Sequence, residues 1–207
     1  MLNEIVKQFV LLWAVIDPIG TIPVFIAVTM GMSKSLARSV ALKATLVAGL
    51  VLLFFVLAGE YLLDAMQIPL SAFQVAGGIV LFLFALTMIF GESKPETEIH
   101  MVKRNLHSYV FPLAIPSIAS PGAMMAAVLL TDNHRFSLIH QGITTLIMFS
   151  VLLVTLLFML VASRILTLIG EGGASVISRV MGMILAAVAV SSVLQGISAY
   201  FGLSVSP

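Results

Sequence analysis

Two short stretches set polar, ring-closed and flexible residues side by side in apolar surroundings. They are Asp17-Pro18-Ile19-Gly20-Thr21-Ile22-Pro23 near the start of the chain, and Pro116-Ser117 followed by Ser120-Pro121-Gly122 past its middle. Asp and Ser are favoured helix N-caps, because their side-chain oxygens accept an N–H that the first helical turn leaves without a partner. Pro is favoured at the next position, where its missing N–H costs nothing. Asp17-Pro18 and Ser120-Pro121 therefore each predict a helix start. The positive end of a helix can receive a carboxylate or another polar ligand group. Asp17 itself has three candidate jobs: capping that helix, holding a substrate ammonium, or carrying a proton in a protonated state that burial favours.

Other chemistries lack their residues. With no Cys in the chain there are no disulfides, thiolate metal sites or Cys nucleophiles. One intramembrane carboxylate without a His or Cys at the same depth supplies too few ligands for a transition metal, so neither metal nor cofactor is expected. An intramembrane enzyme would need a nucleophile–base pair, and Asp17 has no His or Lys partner at its depth; the chain is not expected to be an enzyme. His100, His107, His134 and His140 fall in loops or at span ends. No phosphate-cradling Gly-x-x-x-x-Gly-Lys-Ser/Thr occurs, so any transport must draw on a gradient.

The elements that must position these residues are membrane helices. Of 207 residues, 60% are hydrophobic and only 9% charged, and the mean hydropathy is +1.17. Soluble domains carry about 25% charged residues. A lipid bilayer is therefore the expected surrounding, and the net charge of +1 offers no basic surface for nucleic acid. A span needs about 20 mostly apolar residues. Six such runs occur, at 5–28, 41–58, 69–90, 109–130, 137–161 and 176–200. The fold expected is an all-α polytopic membrane protein.

With six spans, one side holds only Lys7 and Arg135, and the other holds Lys34, Arg38, Lys43, Lys94, Lys103, Arg104, Arg164 and Arg179. Cytoplasmic loops retain positive charge. Both termini are thus expected outside the cytoplasm. A nearly neutral start and the absence of an Ala-x-Ala site predict that the first span is retained.

The chain also reads as two copies offset by about 100 residues. Asp17-Pro18 matches Ser120-Pro121, and Gln74 to Leu81 matches Arg179 to Ala186. Three spans per copy force the second to enter from the other side, giving two inverted repeats, each with a broken first helix. Residues 1–91 form the first repeat, 92–108 a cytoplasmic linker and 109–207 the second repeat. Inversion would bring both breaks to the midplane and make a small polar chamber, with Pro23, Pro112 and Pro116 widening the unwound stretches and able to shift the true helix start by a turn. A simple Pro kink repaired by Thr21 or Ser117 is the alternative. The cost of burying Asp17, about 3 kcal/mol at the bilayer centre, weighs against it. Ala76-Gly77-Gly78 and the Gly182, Ala186, Ala187 and Ala189 set read as close helix packing. Gln74, Gln195, Ser191 and Ser192 either reach the chamber or bond across helices.

Asp17-Pro18-Ile19-Gly20-Thr21-Ile22-Pro23-Val24-Phe25, then Gly77-Gly78-Ile79-Val80-Leu81-Phe82, then Phe111-Pro112-Leu113-Ala114-Ile115-Pro116 with Ser120-Pro121-Gly122, together resemble the MarC family of bacterial inner-membrane proteins. The resemblance covers essentially the whole chain. It implies six membrane helices, a bacterial inner-membrane location, a grouping with LysE-type exporters, and kinship with SnatA-type transporters of small neutral amino acids. Carried over by position, it implies that Asp17, Pro18, Gly20, Thr21, Pro23, Pro116, Ser117, Ser120, Pro121 and Gly122 line the substrate site. Thr21 stands where relatives often have Asn, and Ser120 where they often have Gly, changes that alter the donors and the room available.

The expectation is a secondary transporter, of exporter kinship, for a small neutral amino acid such as alanine or glycine, coupled to a proton or sodium gradient. The rival reading is a non-transporting membrane assembly or regulatory component in which Asp17 is only a cap. The small-residue stripes leave a homo-oligomer open.

Overall fold

The first apolar run does not form one rod. In the computed structural model, which describes residues 2–90, 113–132 and 136–203, it gives α1 (Leu2–Ile16) and α2 (Thr21–Thr29) with a turn over 17–20 between them. The cause is local. Pro18 has no N–H to return to α1 and its ring clashes with the preceding turn. Asp17 takes φ 50°, which leaves the right-handed helical path.

Next come α3 (Lys34–Ala65) and α4 (Leu70–Phe90). Ser33 opens α3 by accepting the Leu36 N–H. The second interrupted region begins with α5 (Leu113–Ile118), a π-helical turn broken at Ile115 (φ −136°, ψ 124°). That residue precedes Pro116, whose ring disfavours helical geometry before it. Then follow α6 (Pro121–Leu130), α7 (Leu138–Leu160) and α8 (Ala162–Phe201), the last interrupted at Gly170 with φ 69°.

All regular elements among the described residues are helical, and five stretches are long and apolar enough to cross a membrane: Asn3–Thr29, Lys34–Ala65, Leu70–Phe90, Leu138–Leu160 and Ser175–Phe201. The 109–130 run is represented by α5 and the shorter apolar α6, because 109–112 lie outside the described residues. So do the linker 92–108, Pro112, His100, His107, His134 and Arg135. The α3 helix outruns its 41–58 apolar core at both ends, since Lys34, Arg38 and Lys43 can extend their stems toward water while the backbone stays helical.

The burial pattern fits a bundle in lipid. Leu46, Leu57 and Leu194 are each more than 60% exposed, while Leu12, Leu52, Met148 and Leu185 are fully buried. The α4–α8 seam is the most intimate contact. A Cβ on Gly78 would lie 2.8 Å from the Ala189 carbonyl, and one on Gly182 would lie 2.8 Å from Met88 Cβ and 3.2 Å from the Ala85 carbonyl. The small residues there permit close backbone approach, as the packing reading expects. Gln74 donates across the same seam to Gln195 Oε1 at 3.5 Å.

Candidate functional site

The two interruptions meet inside the bundle. At the first, α1 ends with the Asp17 N–H on the Trp13 carbonyl, 2.9 Å. The Asp17 carboxylate turns back over the break: Oδ1 accepts the Gly20 N–H at 3.0 Å, and Oδ2 accepts the Ser178 hydroxyl of α8 at 3.1 Å. Its carbonyl accepts both the N–H and the hydroxyl of Thr21, at 3.1 and 3.0 Å. Asp17 thus caps, but the regular helix begins at Thr21 and not directly at Pro18. The left-handed Asp17 sends the chain through a turn closed by the Ile22 N–H on the Ile19 carbonyl. Pro23 does not widen the break. It is the third residue of α2, where its absent N–H would have had no helical partner.

The second interruption follows the sequence expectation more closely. Ser120 is extended (φ −70°, ψ 158°), Pro121 opens α6, and Ser120 Oγ accepts the Ala123 N–H at 3.1 Å. The same hydroxyl donates to the Val15 carbonyl at 2.8 Å. Val15 stands in the last turn of α1, whose carbonyls lose their usual partners when the helix stops. The cap of one broken helix therefore completes the end of the other. Thr21 and Ser117 hydroxyls lie 3.4 Å apart across the same junction.

Asp17, Thr21, Ser117, Ser120 and Ser178 are each at most 2% exposed. Gly20 is required by this crowding: a Cβ there would run into the Asp17 carboxylate and lie 2.9 Å from Ser178 Oγ. Gly122 is confined more gently, with a Cβ 2.7 Å from a Leu81 methyl. Protein donors already occupy both Asp17 oxygens, so the polar junction is closed rather than an open chamber around the carboxylate. Among the polar residues weighed for it, Gln74 and Gln195 bond across the α4–α8 seam, and exposed Ser191 accepts from Gln195 within α8 at 3.1 Å. Ser178 is the member that sequence reasoning missed. Its signal was merely a small polar residue within the last apolar run.

Two cavities lie along the helices on either side of the first break, and neither is lined by a junction residue. One, of about 420 Å³, is lined by Gln8, Leu11 and Ala14 of α1 together with Leu130 and Leu185. Another, of about 560 Å³, is lined by Phe25 and Thr29 of α2 with Lys34, Arg38, Met159 and Arg164. Ala14 precedes Asp17 by roughly one helical turn and Phe25 follows Thr21 by another, a rise of about 5 Å each. At the rim of the first cavity, Gln8 Nε2 lies 2.6 Å from His140 Nε2, and Thr144 donates to Gln8 Oε1 at 3.1 Å. His140 stacks on Phe136 in the first turn of α7, the span-end position expected for it.

The sequence pattern described as "MarC family integral membrane protein" matches residues 2–201. The chain is 32% identical over 196 residues to "UPF0056 inner membrane protein YhgN" of Escherichia coli, covering 95% of this chain and 97% of that protein. It is 33% identical over 202 residues to "UPF0056 membrane protein MJ0972" of Methanocaldococcus jannaschii, covering 95% and 88%. A "UPF0056 membrane protein" of Buchnera aphidicola is 29% identical over 202 residues, covering 97% and 99%. No solved structure matches the chain.

Proposed function

The chain belongs to the MarC family of integral membrane proteins, and from that premise we propose that it is a secondary transporter moving a small neutral amino acid, such as alanine or glycine, through the junction of its two broken helices. The observation that carries this reading is a buried Asp17 carboxylate at a break whose flanking helices each line a cavity, at Ala14 about one turn before Asp17 and at Phe25 about one turn past Thr21. A carboxylate at membrane depth is costly and marks a functional path by default.

Six spans in two inverted repeats are part of the proposal. Pairing α1 with α5, α2 with α6, α3 with α7 and α4 with α8 maps most of the helix contacts onto one another, although α1–α8, α2–α3 and α7–α8 lack a counterpart of like extent among the described residues. Thus α1 packs on α7 as α5 packs on α3, α2 on α8 as α6 on α4, and α1 on α6 as α2 on α5. The pairs α3–α7 and α4–α8 map onto themselves. Such symmetry lets two halves exchange conformations about a central site. The charge bias orients the molecule in a bacterial inner membrane with the Lys34, Arg38 and Arg164 end in the cytoplasm, and export is the direction that kinship with exporters favours.

In this mechanism the closed junction is the occluded arrangement. Movement of α8 withdraws the Ser178 hydroxyl from Asp17 Oδ2, freeing that oxygen for the substrate ammonium or a coupling proton. The substrate carboxylate faces the positive helix starts at Thr21 and Pro121. Only a small solute suits the junction, because the Asp17 carboxylate and Leu81 already crowd Gly20 and Gly122. The test is counterflow of radiolabelled alanine and glycine in proteoliposomes, with and without a pH gradient, for the native chain and Asp17→Asn. Exchange lost in the variant places Asp17 in the mechanism. Exchange in both keeps the transporter and reduces Asp17 to a cap. No exchange with a folded native chain, across a panel of small neutral solutes, favours the non-transporting component.

A further inference from the structure

The 560 Å³ cavity at the end of α2 gathers three cations and no described anion. Lys34 and Arg38 stand one turn apart at the start of α3, and Arg164 stands near the start of α8. Among the described residues no carboxylate lines the cavity and none of the three cations forms an ion pair; the Lys7–Glu4 pair belongs to the opposite end of α1. Three like charges around one hollow, without an ion-pair partner among the described residues, repel one another, so an anion entering it is favoured twice, by attraction and by relief of that repulsion.

The surroundings specify what kind of anion. The stretches long enough to span the membrane end here at Thr29 and Leu160 and begin at Lys34, which sets the cavity at the membrane surface. Its rim carries outward-facing apolar side chains: Met30 is 78% exposed, and Leu160 and Val161 are 42% exposed. A free hydrated ion gains nothing from that rim, whereas an amphiphile gains from both parts. We propose that this cavity is a binding site for an anionic phospholipid, its headgroup phosphate held by Lys34, Arg38 and Arg164 and its acyl chains running along Met30, Leu160 and Val161. The site tethers the α2–α3 connection to the α7–α8 corner through a shared ligand. It is independent of what the chain transports.

Native mass spectrometry of the full chain, released from detergent with added phosphatidylglycerol or phosphatidylcholine, tests this. The expected result is preferential retention of phosphatidylglycerol. The double variant Arg38→Gln/Arg164→Gln lowers that retention by about fivefold per cation, on the order of twentyfold in all, from the usual strength of a basic side chain near an anionic lipid. Lys7→Gln, at the other end, leaves retention at the native level. Equal retention of the two lipids, an unaffected double variant, or an equal loss in Lys7→Gln overturns the proposal. Displacement of phosphatidylglycerol by excess inorganic phosphate also overturns it, because the occupant is then a soluble anion. Should the double variant fail to fold, the native chain decides through salt: retention of phosphatidylglycerol falls steeply with ionic strength if the cations hold it, and a flat response overturns the proposal.

Discussion

The first helix break is held by a charged residue in a left-handed conformation and the second by a neutral Ser in an extended one. Both make the same local bond, a side-chain oxygen accepting the N–H three residues on. They differ in what the remaining polar atom does. Ser120 spends its hydroxyl hydrogen on Val15 of the other break, a contact between two adjacent helix ends. Asp17 Oδ2 reaches α8, where among the described residues the Ser178 hydroxyl donates to it. One break is therefore a splice and the other a charged centre with an exchangeable partner. Capping alone would not need Asp at the first position, since Ser performs that role at the second.

Substitutions can break or sharpen this contrast. The largest effect is expected from Gly20→Ala, which forces a Cβ into the Asp17 carboxylate. A loss of about 3 kcal/mol in thermal unfolding in detergent is expected, against about 1 kcal/mol for Gly122→Ala, whose Leu81 methyl can turn aside. Equal losses would show that the two breaks are equally tight. Asp17→Asn comes next. An amide keeps the Gly20 bond and tolerates the left-handed backbone, so the fold should survive. Counterflow should drop tenfold to roughly a hundredfold, the range for losing a charge-assisted contact.

Ser120→Ala removes a cap and the Val15 donor together, for about 2 kcal/mol of stability. Folded protein should still exchange substrate, and an exchange defect as deep as that of Asp17→Asn would refute the division of roles. The smallest change is Ser178→Ala, costing about 1 kcal/mol. If its hydroxyl must leave before substrate binds, exchange should be undiminished. A collapse of exchange would instead make Ser178 a substrate contact.

The two breaks were legible because their causes are short-range. Pro18, Pro116 and Pro121 lack an N–H and carry rings that exclude a preceding turn, whatever surrounds them. The glycines of α4 and α8 were legible as a packing seam for a similar reason, since small residues on a helix face leave few other roles in lipid. The helix start at Thr21 fits the one-turn shift that the extra prolines allow, but its cause was not legible. Sequence indicates Asp17 as a cap, but the conformation it adopts depends on fitting its carboxylate between Gly20 and Ser178. Gln8 and His140 likewise give no sign of each other across 132 positions of chain.

Sequence by itself determined the solvent, the helical content and the places where helices stop, because apolar run length and proline chemistry act within a few residues. The tertiary structure alone decided which polar atoms share the buried junction and which cations share a cavity. Such partners are 161 residues apart for Asp17 and Ser178, and 126 for Arg38 and Arg164 (164 − 38). No local periodicity encodes a pairing over that distance; it is fixed only when the helices pack and each buried polar group must find a partner.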